Sequence, residues 1–208
     1  MSGYLTIKNE GHSEYIEKRS KFLGVAFPCE TEAQAFELID NLKSKYWDAR
    51  HNCYAFVVDE GRTLRFSDDG EPHSTAGKPI LEVITAKGLV NVLVVVTRYF
   101  GGVLLGTGGL VRAYTTATKD ALENATVVEM VPCTLFKINC SYSEHPSLLR
   151  LVENSNANLL NTEFAENVTL NLVLKDGDVA DFEHSLTENF SGKLKMEETD
   201  KTISPFEI

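Results

Sequence analysis

The sequence has no excess of positive charge, which disfavours one broad class of function. Its net charge is −10 and its pI is about 5.0. Generic binding to nucleic acid uses a basic surface, so this acidic protein is not expected to bind nucleic acid over its whole surface. A local basic patch is still compatible with this composition. There are 14 basic and 17 acidic residues up to Met130, against 6 and 13 beyond it, so the first part is the better candidate.

Metal-binding, disulfide and membrane patterns are also missing. The four cysteines, Cys29, Cys53, Cys133 and Cys140, include no C-x-x-C pair, and we expect reduced, buried thiols and no metal or cofactor. No apolar leader opens the sequence, and runs such as Val92–Val96 are far shorter than the roughly 20 residues of a membrane span. These absences predict a cytoplasmic protein with no membrane partner.

The residues that are present predict an α+β protein of two domains, residues 1–131 and 132–208. A hydrophobic content of 43% supports a substantial core. The first domain is predicted to contain one strand over 14–27, bent near Ser20, then a helix capped by Thr31 and the strands "HNCYAFVVD" and "RTLRFSD". It continues with the helix "ILEVITAKG", the buried strand "NVLVVVTRYF" and a helix from Leu110 to Asn124. After Pro132 the pattern restarts as strand, helix, hairpin, helix and strand. This βαββαβ order is typical of the ferredoxin-like fold.

Five of the fourteen glycines lie in one short stretch, "RYFGGVLLGTGGLVRAY", over residues 98–114. A phosphate-binding P-loop would need Lys and Ser or Thr where Thr107 and Gly108 stand. A Rossmann fingerprint would need glycine at Val111. Both nucleotide-binding motifs are therefore excluded by the residue types.

Two interpretations of the glycines remain open. They can expose backbone N–H groups at the start of the last helix of the first domain, where the helix dipole favours an anion. Arg98, as a strand-end residue outside the core, and Arg112 would then supply charge. Alternatively, the glycines only allow a strand and a helix to pack closely.

A second polar stretch, "FSDDGEPHSTAGKP", contains three carboxylates within four residues, Asp68, Asp69 and Glu71. Together with His51 they could hold a hard cation or perform acid–base chemistry. The same residues are also ordinary turn formers, and the pair Ser74-Thr75 is predicted to cap the helix that follows.

Four segments together resemble the YigZ/IMPACT family: "DARHNCYAF", "FSDDGEPHSTAGKPIL", "VVVTRYFGGVLLGTGGLVRAY" and the βαββαβ unit. The match covers nearly all of the chain and is similar to the bacterial two-domain type. It implies a first domain like domain IV of elongation factor G, a ribosomal-protein-like fold with a left-handed βαβ crossover. It also implies a second domain like domain V of the same factor. Eukaryotic members regulate translation, through a kinase pathway that bacteria lack.

The resemblance joins the polar segments into one expected ligand-binding surface and implies no catalytic residue. Its predicted residues are Arg50, His51, Asp68, Asp69, Glu71, Lys78, Arg98, Tyr99, Gly101, Gly102, Gly106, Gly108, Gly109 and Arg112. The leading hypothesis is a translation-associated protein that contacts RNA or the ribosome, with arginines on phosphates and Tyr99 stacked on a base. One alternative is a metal-assisted or acid–base enzyme acting on a small phosphorylated substrate. Another is a regulator that binds a protein partner without nucleic acid.

Overall fold

The computed structural model describes residues 3–207. The chain forms two compact units, built mainly on Tyr4–Glu129 and Met130–Ser204. This α+β, two-domain architecture agrees with the sequence prediction. The domain boundary expected between residues 131 and 132 stays a prediction, and it falls inside a strand that begins at Val127. No helix within residues 3–207 combines the length and the apolar character needed to cross a bilayer.

The N-terminal unit consists of a five-stranded sheet with helices on both faces, preceded by a short strand. Its elements in chain order are β1 (Tyr4–Ile7), β2 (Gly11–Glu17), β3 (Ser20–Pro28), α1 (Glu32–Lys45), β4 (His51–Val58), β5 (Thr63–Ser67), α2 (Gly77–Ala86), β6 (Val92–Tyr99) and α3 (Thr107–Glu123). The strand order is β2-β3-β6-β4-β5, and every neighbouring pair is antiparallel. The predicted buried strand β6 lies at the centre.

The two faces of this sheet have separate cores because alternate residues of a strand point to opposite sides. Helix α1 covers one face, where Ile39 packs with Phe56 and Val95. Helices α2 and α3 cover the other face, where Ile80 and Tyr114 pack with further sheet residues. Residues of β6 are buried on both sides, which explains why its sequence is apolar without alternation.

The placement of the helices fixes the hand of the connections. The connection β3–α1–β4 joins two parallel strands across β6, and β5–α2–β6 joins two parallel strands across β4. From β3 to β4 the chain crosses the sheet in one direction, and from β5 to β6 it crosses in the other. The strands of the two connections also point in opposite directions, so these two reversals cancel and the face covered by each helix decides the hand. The two helices lie on opposite faces. They therefore have opposite hands, and one is left-handed. This agrees with the left-handed crossover that the resemblance implies, against the general preference for right-handed connections.

The prediction of one bent strand over residues 14–27 is wrong, because the chain forms two strands there. Strands β2 and β3 form a hairpin in which Glu17 faces Ser20, so the turn contains only Lys18 and Arg19. Their φ angles are 45° and 67°, the left-handed conformation that a two-residue type I′ turn requires at both positions. Asn-Gly would have revealed such a turn in the sequence, whereas Lys-Arg does not.

The helix starts agree with the sequence only in part. Thr31 caps α1 as predicted, since its hydroxyl accepts a hydrogen bond from the Gln34 N–H. Helix α3 begins at Thr107 rather than Leu110. Helix α2 begins at Gly77, and neither Ser74 nor Thr75 caps it with its side chain. The capping group is a carboxylate from the preceding loop.

The C-terminal unit has the predicted βαββαβ order. Its elements are β7 (Val127–Cys140), α4 (His145–Glu153), β8 (Asn158–Phe164), β9 (Val168–Lys175), α5 (Val179–Phe190) and β10 (Met196–Glu207). β7 lies between β9 and β10, and β8 pairs with the other edge of β9. Both helices contribute to one core, in which Leu148 and Phe182 pack with Leu170. Strand β10 extends past the predicted strand "KLKMEETD", and β7 begins before the predicted "CTLFKINCSY".

Candidate functional site

A cleft of about 500 Å³ lies in the N-terminal unit, where three of the predicted polar segments meet. Its lining comes from the start of β4, the carboxylate loop, the end of β6 and the start of α3. The lining residues are Arg50, His51, Gly70, Glu71, Pro72, Arg98, Phe100, Leu104, Leu105, Gly106, Thr107 and Leu110. Segments that are distant in the sequence are thus brought to one place, as the resemblance implies.

A buried ion pair lies in this cleft. Arg98 Nη1 is 2.6 Å from Glu71 Oε1, and the two side chains are only 7% and 3% exposed. The expectation that Arg98 is a strand-end residue outside the core is wrong, because alternation along β6 turns it inward. Its guanidinium lies against the rings of Phe22 and Phe100. The Nε–H of Arg98 is buried and has no hydrogen-bond partner within the described part of the chain.

Glu71 also anchors a chain of buried hydrogen bonds into the core. The Tyr114 hydroxyl donates to Glu71 Oε1 at 2.8 Å, and Cys53 Sγ lies 3.3 Å from that hydroxyl oxygen. Burial raises the pKa of Tyr114, and the neighbouring Cys53 and Glu71 raise it further. Burial likewise raises the pKa of the Cys53 thiol. Both groups therefore keep their protons, and Tyr114 holds the Glu71 carboxylate in position.

Ser20 connects the cleft to the β2–β3 hairpin. Its buried hydroxyl accepts from the Gly101 N–H at 3.1 Å and from Arg98 Nη2 at 3.4 Å. Gly101 lies so close to the backbone of Arg19 and Ser20 that any side chain there would overlap it. At Gly101 the close-packing interpretation of the glycines is therefore correct.

The three carboxylates of the loop do not converge on one point. Asp68 Oδ1 accepts from the N–H groups of Ala76 and Gly77, and its Oδ2 accepts from the Ser74 N–H. Asp68 therefore caps α2. Asp69 Oδ2 accepts from the Asn52 N–H at 2.7 Å. Within residues 3–207, no group of three or more His, Cys, Asp or Glu side chains is arranged to hold a metal ion.

Asp69 also fixes His51. The carbonyl oxygen of Asp69 is 2.8 Å from His51 Nδ1, and since a carbonyl can only accept, Nδ1 carries a proton. The other ring nitrogen of His51, Nε2, lies 3.9 Å from Glu71 Oε1. The remaining carboxylate oxygen of Asp69, Oδ1, lies 3.2 Å from Lys43 Nζ. Of the three loop carboxylates, only Glu71 lines the cleft.

The start of α3 offers unpaired backbone donors beside the cleft. Gly106 is the N-cap residue, and no side chain caps the helix. The first intrahelical bond is donated by Leu110 to the Gly106 carbonyl. The N–H groups of Thr107, Gly108 and Gly109 have no acceptor among the described residues. They stand at the positive end of the helix dipole.

The remaining glycines of the stretch have different physical roles. Gly102 and Gly106 have φ angles of 83° and 72°, which disfavour other residues. Gly109 lies against the Leu105 side chain. A Cβ at Gly108, by contrast, would meet nothing within 4 Å. Close packing therefore does not explain Gly108, where a side chain would only cover the free N–H groups.

Several predicted site residues lie elsewhere. The Tyr99 side chain points away from Arg98 and donates to Asp48 Oδ1 at 2.8 Å. Lys78 is exposed on α2, and its ammonium lies 3.8 Å from Glu82. Arg112 lines a separate hollow on another side of α3. None of these three is among the lining residues of the cleft.

Sequence reasoning missed several contributors. Phe100 and Leu104 line the cleft and are 43% and 83% exposed. Strand alternation alone indicates that Phe100, two residues after Arg98, shares its side, and this signal favours Phe100 over Tyr99. Ser20 gave no comparable signal, because it reaches the site from a distant segment, whereas Tyr114 ends the glycine-rich stretch and lies one helical turn after Leu110.

Comparisons with known proteins agree with this division into two units. Residues 18–122 match the family described as "Impact N-terminal domain", and residues 138–193 match a "Domain of unknown function (DUF1949)". The chain is 33% identical to the IMPACT family member YvyE of Bacillus subtilis, over 97% of this chain and 94% of the relative. It is 34% identical to the IMPACT family member YigZ of Escherichia coli, over 86% and 89% of the two chains.

A solved structure and eukaryotic relatives extend the likeness. The structure described as "Crystal structure of an hypothetical protein" has a TM-score of 0.61 and 31% identity, covering 96% of this chain and 98% of that one. Proteins named IMPACT homologues also match in eukaryotes, in Dictyostelium discoideum for example. The first family match contains every lining residue of the cleft. The chain therefore belongs to the IMPACT family.

Proposed function

We propose that the N-terminal unit is an RNA-binding module that holds a backbone phosphate in the cleft at the start of α3. The observation that carries the proposal is the buried Nε–H of Arg98, which faces no acceptor in the described part of the chain. A buried donor without an acceptor is costly. Arg98 lines the cleft, so a small shift of the side chains around its guanidinium would let a phosphate oxygen accept this hydrogen bond.

The charges of the cleft support an anion. Glu71 is neutralised by Arg98, so the pair contributes no net charge. The Arg50 guanidinium is exposed and forms no ion pair with a described side chain. It adds one positive charge to the helix dipole of α3. Free N–H groups and a cation together suit phosphate, as at other helix N-termini.

The rim of the cleft supports a nucleotide rather than phosphate alone. Phe100 and Leu104 expose apolar surface beside the phosphate position. Bases of single-stranded RNA stack on aromatic rings such as that of Phe100, and this stacking is tolerant of sequence, while Leu104 adds apolar contact. The likeness to ribosome-associated folds that the motifs imply makes a single-stranded segment of ribosomal RNA a target to include.

The hydrogen bonds of the loop do not favour the enzyme alternative. Asp68 holds three backbone N–H groups, and Asp69 holds Asn52 and Lys43. A carboxyl group that acts as a general acid or base must reach the substrate. Of the three loop carboxylates only Glu71 faces the cleft, and it is occupied by Arg98 and Tyr114.

The test is the binding of a fluorescent single-stranded RNA of twelve uridines, followed by anisotropy at 50 and 200 mM salt. Arg50→Ala should weaken binding roughly tenfold at low salt and less at high salt, because the variant no longer neutralises one phosphate. Gly108→Val should also weaken binding while the melting temperature holds, since valine has space there and is the better helix former. Gly177→Val, at another open glycine, is the matched control. Absence of binding by the wild-type protein would refute the proposal.

A further inference from the structure

A second hollow, of about 400 Å³, lies on another side of the start of α3. Its lining residues are Tyr15, Glu17, Lys18, Leu105, Gly109, Val111, Arg112, Thr115 and Thr116. Leu105 lines both the cleft and this hollow. The two depressions therefore adjoin near the start of α3.

The hollow contains two cations without partners. Lys18 and Arg112 are exposed, and neither forms an ion pair with a described side chain. The one carboxylate in the lining, Glu17, accepts a hydrogen bond from the Tyr15 hydroxyl. Arg112 is close enough to lower the pKa of Tyr15, although burial and Glu17 raise it overall. The lining thus carries a net positive charge in a chain that is acidic overall.

We infer that the hollow is a second phosphate subsite, so that the ligand is a strand with at least two phosphates passing over the start of α3. This inference rests on the proposed function of the cleft. One phosphate would lie by Arg50 and Arg98, and another by Lys18 and Arg112. A helix with its side chains is about 10 Å wide, so a single phosphate cannot occupy both positions. A mononucleotide would fill only one of them.

The turn between β2 and β3 provides a sharp test of the second subsite. Lys18 and Arg19 adopt positive φ angles of 45° and 67°, which asparagine and glycine adopt more easily. Replacing them by Asn and Gly should therefore raise the melting temperature. Of these two residues, only Lys18 lines the hollow. If Lys18 serves only solubility, binding should not change. If it serves the second subsite, binding should weaken although the fold becomes more stable.

The experiment compares oligouridylates of two, four, eight and twelve nucleotides, with inorganic phosphate and uridine monophosphate as competitors. The variants are Lys18→Asn/Arg19→Gly and Arg112→Ala in the full chain. Arg62→Asn/Lys87→Asn is the control, because it removes two cations outside both depressions. We expect each subsite variant to bind the longer RNA roughly tenfold more weakly at 50 mM salt, with a salt slope smaller by about 0.7 for each phosphate that the variant no longer neutralises. Wild-type affinity should rise steeply until both subsites are spanned and then level off.

The possible outcomes separate the two proposals. If the wild-type protein binds RNA and Arg50→Ala weakens it, but the hollow variants bind like the control, the second subsite is wrong and the cleft stands. Equal affinity for uridine monophosphate and for the longer strands would also overturn the second subsite. If no RNA binds to the wild-type protein, the proposed function itself fails.

Discussion

The two units differ in how many polar residues they bury. Among the residues that the structure describes, ten polar or charged residues are buried, and nine of them lie in the N-terminal unit. The exception is Thr134, whose hydroxyl donates to Asp176. Buried polar groups cost free energy unless they are paired, so we expect a fold to bury many of them only where they serve a function. The C-terminal unit is an ordinary apolar sandwich, whereas the N-terminal unit keeps an ion pair and a hydrogen-bonded tyrosine in its core.

The largest effect that would test this contrast comes from breaking the buried ion pair. Arg98→Ala leaves the buried Glu71 carboxyl group without its ionic partner, and should lower the free energy of unfolding by about 3–5 kcal/mol. Urea denaturation measures the loss. Lys137→Ala, at an exposed cation on β7, should change it by less than about 0.5 kcal/mol. Glu71→Gln/Arg98→Met should recover part of the loss. A stable Arg98→Ala variant would show that the pair is not a structural element.

A second comparison concerns one aspartate in each unit. Asp68→Ala removes the acceptor for three backbone N–H groups at the start of α2 and should cost about 2–3 kcal/mol. Asp176→Ala removes the acceptor of the Thr134 hydroxyl alone and should cost about 1 kcal/mol. Asp68→Asn, which retains an oxygen acceptor, should fall between these values. Chemical denaturation of the three variants measures the costs. Equal losses for the two alanine variants would contradict the capping role of Asp68.

The thiols should differ in reactivity between the two units. Burial raises the pKa of Cys29 to about 11 and raises those of Cys53, Cys133 and Cys140 as well. A raised pKa leaves less thiolate at a given pH, so alkylation should be slow at pH 7 and about tenfold faster for each pH unit. Mass spectrometry of protein treated with iodoacetamide should show Cys53 reacting last. Rapid modification of Cys53 in the folded protein would contradict its burial.

Removal of the C-terminal unit should have the smallest effect. A chain ending at Met130 should unfold cooperatively, because the N-terminal unit has its own two cores. Its affinity for RNA should stay within about threefold of the full chain, since every residue of the cleft is retained. Thermal melts and anisotropy check this. A dye-binding product without a cooperative melt would show that the N-terminal unit depends on the rest of the chain.

Local signals in the sequence predicted much of the fold. Thr31 indicated the start of α1, and the apolar character of residues 92–96 indicated a strand buried on both faces. The hairpin at Lys18 and Arg19 escaped prediction, because these residues are unusual in a type I′ turn. The left-handed connection could not be derived from the residues either, since the general rule favours the other hand.

The site was predicted less completely for a related reason. The sequence grouped Asp68, Asp69 and Glu71 because they are neighbours, yet each carboxylate bonds to a different set of partners. The partners of Asp69 and Glu71 are fixed by tertiary packing, which spacing does not encode. In one case the sequence does indicate which side chain lies on the side of Arg98, because period-two alternation along the strand selects Phe100 rather than Tyr99.

The hydroxyl of Ser20 makes the two depressions mechanically dependent on each other. It belongs to the first residue of β3, directly after the Lys18-Arg19 turn, and it holds both Arg98 and the backbone of Gly101. A displacement of the hairpin would therefore displace the guanidinium in the cleft. Occupation of either position should therefore change the affinity of the other, and this coupling must be reciprocal because binding free energies are linked. Ser20→Ala would uncouple them, so that a phosphate bound at one position would no longer change the affinity of the other.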